Sequence, residues 1–266
     1  MTDAHTSPLR VERPSDGVVL LTLDLPERRN AMTAELTAAW VEAVSALRVD
    51  RGVRAVVVTG AGRAFCAGGD LSWIGSGSAL TVSDVRDRML PFYRDWLAVR
   101  TLEVPVLAAL NGPAVGAGLC LALACDLRYA ATTATLAAPF VRLGMHPGMA
   151  ATYLLPEAVG LPRARELLFT GRTVDAAEAL RIGLVDGVHE PDLLLPAVLD
   201  TAATIAAGAP VAVRLTKSAL AWSAHRTVDE ALEWEGLAQP VTMTGDDLRE
   251  GLAAQSDKRP PRFTGR

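Results

Sequence analysis

Short hydrophobic runs alternate with segments of helical spacing along the first part of the chain. The runs Val18–Asp24, Arg54–Thr59 and Val104–Leu110 are rich in β-branched and aliphatic residues, which predicts three buried strands. Thr33–Leu47 carries its apolar residues on one helical stripe and begins with a threonine that can cap a helix. A strand, a helix and a strand in this order predict a right-handed crossover and a partly parallel sheet.

The alternation continues through the middle of the chain. Apolar residues recur at helical spacing between Val85 and Val99, and Pro91 is expected to kink this helix. A small apolar helix is predicted over Ala117–Ala124. Short strands are predicted at Asp126–Ala130 and Thr135–Ala137.

From Ala150 onward only helical spacing remains. Helices are predicted at Ala151–Val159, Arg163–Phe169, Asp175–Arg181, Leu193–Ala207, Val211–Trp222, Val228–Gln239 and Asp246–Gln255. The sequence therefore predicts an α/β core followed by a helical C-terminal part, with no strand after Ala150.

Composition and charge narrow the class of protein. The chain has 266 residues, of which 50% are hydrophobic and 21% are charged, so it can form one sizeable core with a smaller appended part. The formal net charge is −4, which gives no electrostatic reason to expect nucleic acid or an anionic membrane as a partner.

Cysteine usage and the apolar stretches bear on the compartment. The three cysteines are odd in number and form no CxxC pair, so neither a disulfide framework nor a zinc site is indicated. Met1–Arg10 is polar and does not resemble a signal peptide. The longest small-apolar stretch, Pro113–Cys125, is too short to span a bilayer. We therefore predict a cytoplasmic protein without a metal.

Two glycine-rich turns each follow a predicted strand. In Phe65–Leu71, adjacent glycines allow positive φ and a close approach of the backbone to a ligand. In Asn111–Gly118, the turn leads directly into a helix whose first N–H groups have no partner within the helix. One N–H from each turn could therefore bind a single oxygen, as a thioester carbonyl requires when it becomes an enolate or a tetrahedral oxyanion. A glycine turn by itself is more often only a turn.

Together with these turns, further segments make the chain resemble the crotonase (enoyl-CoA hydratase/isomerase) family along nearly its whole length. The matching segments, in family order and spacing, are Leu25–Met32, Phe65–Leu71, Pro105–Asp126, Leu167–Gly171, Ala176–Ala179, Gly183–Val185 and Lys258–Phe263. So many segments in register make the resemblance specific, although no single one would.

The resemblance implies a fold and an oxyanion hole. The expected fold is the crotonase-like α/β spiral of ββα units with a C-terminal helical segment. Residues 1–200 would form the core that carries the site, and residues 201–266 would form a helical oligomerisation segment of a homotrimer or hexamer. The two oxyanion donors fall on the N–H groups of Gly69 and Ala117. Coenzyme A would enter as part of the acyl-CoA substrate, with no permanently bound cofactor.

The resemblance also implies contacts to coenzyme A. The basic positions of the family near its start match Arg28 and Arg29, and one at the first turn matches Arg63. Ala67 lies where the family's backbone meets the adenine. Lys258 matches a lysine that reaches the coenzyme A of a neighbouring subunit. The alternative role of each of the four cations is an ordinary solvated surface charge, and for Arg28 and Arg29 neither role is preferred.

The match departs from the family at its acid–base positions. The family's hydratases use two glutamates, and those positions are Cys120 and Phe140 here. Its isomerases keep the second glutamate, and a further subset uses an aspartate at the position of Gly148. A positioned general acid or base contributes roughly 10²–10⁴-fold to a rate, so orthodox hydratase activity is doubtful. Cys120 fits best as a small buried hydrophobe, because an apolar site disfavours the thiolate.

His146 is the remaining candidate for proton transfer. It lies in the segment that lines the family's acyl pocket, and imidazole has a suitable pKa near neutrality. It could equally hydrogen-bond the loop backbone. An apolar acyl pocket could be formed by Met89, Phe92, Trp96, Phe140, Met145 and Met149, although core packing is the more ordinary role for Trp96.

Three hypotheses follow, in decreasing order of preference. The first is a crotonase-type enzyme of fatty-acid or related acyl-CoA metabolism, a lyase or isomerase that uses the Gly69 and Ala117 oxyanion hole and a non-standard group such as His146. The second is a crotonase scaffold that binds acyl-CoA without turning it over. The third is a hydrolase with a covalent intermediate on Cys120.

Overall fold

The computed structural model describes residues 7–70, 75, 80–221 and 227–266. Its main sheet has six strands in the order β1-β2-β3-β4-β6-β9, and a smaller sheet has the order β5-β7-β8. The strands are β1 Leu9–Ser15, β2 Val18–Leu23, β3 Ala55–Gly60, β4 Val106–Leu110, β5 Ala114–Val115, β6 Leu127–Ala131, β7 Thr135–Ala137, β8 Thr173–Asp175 and β9 Gly187–His189. All pairs in the main sheet are parallel except β1 with β2.

Helices cover the sheet and form the C-terminal part. They are α1 Ala34–Val49, α2 Val82–Leu97, α3 Ala117–Leu123, α4 Ala151–Thr170, α5 Ala176–Arg181, α6 Pro191–Ala206, α7 Pro210–Leu220, α8 Val228–Met243 and α9 Asp246–Asp257. The buried residues of the central strands and of α1, α3 and α6 form the core. The predicted strands and helices before Ala150 are confirmed, with shifts of a few residues at their ends.

The contact between α1 and α2 fixes one side of the core. Thr33 caps α1 by accepting a hydrogen bond from the Leu36 N–H. Trp40 of α1 and Trp96 of α2 are both fully buried, and their rings stack with centroids 5.1 Å apart. The indole N–H of Trp96 donates to the Thr37 hydroxyl at 3.0 Å. Trp96 is therefore a core residue, and α2 continues through Pro91 as a single helix.

The prediction that strands stop at Ala150 is wrong. β8 pairs with β7 in the small sheet, and β9 pairs with β6 at the edge of the main sheet. Each has only three residues, too few for a two-residue periodicity to be recognised in the sequence. Edge strand β1 was also missed, because six of its seven residues are exposed and it therefore lacks an apolar pattern.

The helical part after β7 otherwise follows the sequence prediction. The helices predicted at Ala151–Val159 and Arg163–Phe169 are the two halves of α4, which is interrupted where Gly160 adopts φ 74° and ψ 156°. Trp222, the predicted end of α7, lies outside the described residues.

Within the described ranges, no single helix has the length and apolar character needed to cross a membrane. The pair α6 and α7 passes that test only when taken together, and the two helices are bent by 108° at their junction. The same part of the chain contains no group of three or more His, Cys, Asp or Glu side chains able to hold a metal ion.

Candidate active site

Asn30 holds the first glycine turn in place. Its side chain is completely buried, and its amide nitrogen donates to the carbonyl groups of Ala61, Ala64 and Phe65 at 3.0, 2.8 and 3.2 Å. Its side-chain oxygen accepts from the Leu25 N–H at 2.9 Å. One buried amide thus ties the segment after β2 to the turn that follows β3.

Asn111 has the same role at the second turn. Its amide nitrogen donates to the Gly62 carbonyl at 3.0 Å, and its side-chain oxygen accepts from the Gly60 N–H at 3.1 Å. The end of β4 is therefore tied to the end of β3. Because parallel strands end at the same edge of a sheet, the two turns lie side by side.

The two turns pack backbone against backbone. The Val115 N–H donates to the Cys66 carbonyl at 3.0 Å. Gly68 has φ +93°, and a Cβ atom added there would lie 2.5 Å from the Val115 oxygen and 3.2 Å from the Ala117 nitrogen. A Cβ atom on Gly118 would lie only 2.2 Å from the Cys66 oxygen. Glycine is required at both positions because no side chain fits between the turns.

Gly69 and Ala117 line the same cavity of about 110 Å³. Ala117 is the first residue of α3, behind Gly116 with φ +56°, and no side chain caps that end of the helix. Within the described part of the chain, neither the Gly69 N–H nor the Ala117 N–H donates to a protein acceptor. The two segments singled out in the sequence therefore meet at one site with donors available for a ligand oxygen.

The cavity has two walls of different character. The turn wall consists of Gly68, Gly69, Gly116 and Ala117, and the side-chain wall consists of Met89, Phe92, Tyr93, Phe140, Met145 and Met149. Ala67, Val115, Pro139, Leu143, His146 and Gly148 complete the lining. Five of the six residues expected to form the acyl pocket lie here, and Trp96 does not.

Cys120 is 1% exposed and lies outside the cavity lining. Its Sγ atom is 3.6 Å from the Gly148 carbonyl oxygen. Burial raises the pKa of this thiol to about 12, so it stays protonated at neutral pH. This is the environment of a small buried hydrophobe, and it does not supply the thiolate that a nucleophile needs.

Phe140 occupies the other position where the family resemblance implies a glutamate. It begins the single 3₁₀ turn Phe140–Leu143 behind Pro139 and is half-buried. Its ring lies 3.9 Å from the place of a Cβ atom on Gly116, so the phenyl group borders the second glycine turn. An apolar ring therefore borders the cavity next to the Gly116–Ala117 backbone.

His146 lines the cavity but is exposed to solvent. Its Nδ1 atom is 2.8 Å from the Pro147 carbonyl oxygen. In the neutral ring this contact requires a proton on Nδ1, which leaves Nε2 as the acceptor. His146 therefore makes a contact to the loop backbone and also borders the cavity.

Tyr93 was not among the residues singled out in the sequence. It lies on α2, is half-buried, and lines the cavity. Burial raises the pKa of its hydroxyl, and the neighbouring Cys120 adds to this effect. Met89 and Tyr93 are four residues apart, so the helical spacing that indicated Met89 could have indicated Tyr93 as well.

The cations assigned to coenzyme A surround the first turn or lie at the C-terminal end. Arg28, Arg29 and Arg63 are exposed, and the Arg28 guanidinium is 2.7 Å from the Asp70 carboxylate. The Arg29 carbonyl accepts from the Ala67 N–H at 2.9 Å. Lys258 is exposed and ends α9 with φ 55°. None of these four cations lines the cavity. Ala67, the residue expected to meet the adenine, does line it.

The fold and the site define a class of protein: a crotonase-type α/β protein in which two glycine turns meet at a small apolar cavity. Residues 13–266 match the model of the family described as enoyl-CoA hydratase/isomerase, and the chain belongs to that family. A probable enoyl-CoA hydratase, echA8 of Mycobacterium leprae, is 38% identical over 249 residues, covering 94% of this chain and 95% of the relative.

Solved structures agree with this assignment. The crystal structure of an enoyl-CoA hydratase from Bacillus anthracis superposes with a TM-score of 0.91 at 34% identity, covering 97% of this chain and 100% of that one. A structure described as a putative enoyl-CoA hydratase from Streptomyces coelicolor gives a TM-score of 0.90 at 39% identity, covering 100% and 98%. The protein is therefore an enzyme-family member whose function relates to acyl-CoA.

Proposed function

We propose that this protein binds an acyl-CoA thioester and polarises its carbonyl group with the backbone N–H groups of Gly69 and Ala117. The observation that carries the proposal is the meeting of the two glycine turns at one cavity, where both donors lack a protein acceptor within the described residues. Donors fixed in advance at a developing oxyanion contribute roughly 10²–10³-fold each to a rate.

The reaction is a weak hydration, or an acyl-CoA reaction that needs fewer protein acids. Cys120 is buried with a protonated thiol, and Phe140 is an apolar ring, so neither can serve as a general acid or base. His146 is then the titratable group placed to move a proton, since its Nε2 atom is the available acceptor. The enzyme is thus a lyase or isomerase of its family without the orthodox hydratase pair.

Coenzyme A enters with the substrate, and no permanently bound cofactor is involved. Arg28, Arg29 and Arg63 are grouped near the first turn, where exposed guanidinium groups suit phosphates. The Ala67 backbone would meet the adenine, and Lys258 would reach the coenzyme A of a neighbouring subunit.

Residues 201–266 are proposed to assemble the protein as a homotrimer or hexamer, built on a core of residues 1–200. Helices α7, α8 and α9 expose large apolar side chains, which monomeric proteins seldom group together. They are Leu220, Val228, Leu232, Leu237, Val241, Met243, Leu248 and Leu252.

A second candidate function is a non-catalytic acyl-CoA-binding protein. The observation that favours it is the side-chain wall, which contains no carboxylate among its described residues. The turn wall would then bind the thioester carbonyl, and no general acid or base in the side-chain wall would carry out a reaction on it.

The deciding experiment mixes the purified protein with crotonyl-CoA and with a long-chain 2-enoyl-CoA, and follows the loss of enoyl-thioester absorbance. Binding of butyryl-CoA is measured in parallel by calorimetry. We expect micromolar-range binding and slow turnover that falls in His146→Ala while binding persists. Full activity in His146→Ala would remove the histidine from the mechanism. Binding without any turnover would support the second candidate, and absence of binding would contradict both.

A further inference from the structure

The side-chain wall contains one hydroxyl group, that of Tyr93. The positions where the family resemblance implies acids are Cys120, Phe140 and Gly148, and none of them bears a carboxylate. Tyr93 reaches the same place from α2, a different element of the fold.

The Tyr93 hydroxyl occupies the volume that a side chain at residue 148 would need. A Cβ atom added to Gly148 would lie 2.4 Å from the hydroxyl oxygen and 3.0 Å from the ring carbon that bears it. The Cys120 Sγ atom approaches the same glycine, at 3.6 Å from its carbonyl oxygen. The phenol therefore stands next to residues 120 and 148, and it takes up the space of an acid at position 148.

This hydroxyl lies among apolar groups. Met89, Phe92, Phe140 and Met149 share the wall with it, and within the described residues no protein group hydrogen-bonds it. The hydroxyl is not fully buried, so its hydrogen-bonding capacity is open to a ligand in the cavity. Because burial raises the pKa of Tyr93, the phenol is neutral at physiological pH and can both donate and accept.

His146 is the other polar side chain of the lining, and its situation differs. It is exposed, and its Nδ1 atom is already engaged with the Pro147 carbonyl. Tyr93 is half-buried, and its hydroxyl packs directly against Gly148, which restricts where that hydroxyl can lie. A fixed hydroxyl in an apolar wall selects for a ligand oxygen, because a ligand without that oxygen leaves the hydroxyl unpaired.

We propose that Tyr93 is a specificity-determining residue whose hydroxyl hydrogen-bonds an oxygen on the acyl chain, so that the site prefers acyl-CoA thioesters with a keto or hydroxyl group near the thioester. The inference rests on the proposed function, because it requires that the thioester carbonyl sits at the turn wall. With the carbonyl held there, the acyl chain extends along the side-chain wall past Tyr93.

The test compares calorimetric binding of butyryl-CoA and 3-oxobutyryl-CoA at mildly acidic pH, where the latter is in its keto form. We expect the wild-type protein to bind the oxygenated thioester about tenfold more tightly, as one added hydrogen bond allows. Tyr93→Phe should bind the two thioesters equally, because the hydroxyl that distinguishes them is gone. Tyr153→Phe removes the same hydroxyl from an exposed tyrosine outside the cavity lining and should keep the preference.

A second variant displaces the hydroxyl without removing it. Gly148→Ala places a methyl group where the Tyr93 oxygen lies, and this glycine does not have a positive φ, so alanine suits its backbone. We expect Gly148→Ala to lose the preference as Tyr93→Phe does. Absence of a preference in the wild type, or its persistence in Tyr93→Phe, would overturn the proposal. Failure of both thioesters to bind the wild type would instead overturn the proposed function itself.

Discussion

The two walls of the cavity are built by different means. The turn wall is made of backbone, fixed by the side chains of Asn30 and Asn111 and by the direct contact of Gly68 with Val115. The side-chain wall is made of mostly apolar side chains from α2 and from the segment that contains Phe140, together with the Tyr93 hydroxyl.

This difference shows which wall can change its chemistry by a single substitution. A backbone N–H is present in every residue type except proline, so the turn wall depends on glycine and asparagine positions that set the path of the chain. The chemistry of the other wall depends on individual side chains, and a single substitution can add or remove an acid. If the turn wall binds the thioester as proposed, a family member can keep that wall while its reaction changes.

Adding an acid to the side-chain wall should have the largest effect. We expect Phe140→Glu to raise the rate of crotonyl-CoA hydration roughly 10²–10⁴-fold, because it places one general acid or base beside the turn wall. The rate is followed by enoyl-thioester absorbance. Val141→Glu adds the same charge at the next residue, which is 41% exposed and outside the cavity lining, and should leave the rate unchanged.

The contrary outcome is that Phe140→Glu folds and binds acyl-CoA but hydrates crotonyl-CoA no faster than Val141→Glu does. In that case the missing acid at residue 140 is not what limits hydration in this protein. The distinction between the walls would then concern binding alone.

Breaking the turn wall should have the next largest effect. Gly68→Ala forces a left-handed φ on alanine and places its Cβ atom 2.5 Å from the Val115 oxygen. We expect the free energy of unfolding to fall by about 2–4 kcal/mol. Urea denaturation measures this loss, and calorimetry should show weakened butyryl-CoA binding, because the Ala117 nitrogen is also displaced.

Gly236→Ala is the control for Gly68→Ala. Gly236 lies within α8, and nothing stands within 4 Å of its added Cβ atom. Alanine there should raise the free energy of unfolding by up to about 1 kcal/mol. Equal stability losses at the two glycines would contradict the account of the turn wall.

The contrast between the walls also explains what the sequence could predict. The central strands of the main sheet and the glycine turns have local patterns, so the sequence could indicate two turns that meet at one site, and the family resemblance then singled out Gly69 and Ala117 in them. Tyr93 could not be assigned in this way, because its hydroxyl meets Gly148 through packing between residues 55 positions apart. The helical spacing of α2 places Tyr93 on the same face as Met89, but it does not show that this face meets residue 148.

The short strands failed for a related reason. β8 and β9 exist because an edge of an existing sheet offers them hydrogen-bond partners, and three residues carry no periodicity of their own. Both are products of tertiary contact, whereas β2 and β3 are buried along their full length and have a distinctive hydrophobic run. The strands that the sequence predicted are those whose own hydrophobic run marks them as buried.

The buried thiols on the two sides of the site should respond alike to alkaline pH. Burial raises the pKa of Cys66, behind the first turn, and of Cys120 to about 12, against 9.0 for an ordinary thiol. The folded state keeps these protons longer than the unfolded state, so the stabilisation is complete below about pH 9 and is lost as the pH rises toward 12.

We expect each thiol to lower the free energy of unfolding by about 1.4 kcal/mol for each pH unit between 9 and 12. Urea denaturation at a series of alkaline pH values measures this slope, and Cys120→Ala should show a shallower one than the wild type. The same variant should bind butyryl-CoA with unchanged affinity at neutral pH. Loss of turnover in Cys120→Ala with binding intact would revive the nucleophilic role.

The smallest expected effect concerns the charges outside the cavity. Arg28 pairs with Asp70 at 2.7 Å, with 47% and 18% of the two side chains exposed, and such a surface pair contributes less than about 1 kcal/mol to stability. If Arg28 binds the phosphates of coenzyme A, Arg28→Gln should lower calorimetric affinity several-fold, by an amount that shrinks with added salt because screening weakens exposed charges. Arg48→Gln removes another exposed cation, from the last turn of α1, and should have no effect. Equal affinities for the two variants would make Arg28 an ordinary surface charge, and recognition would then rest on the turn wall and the acyl chain.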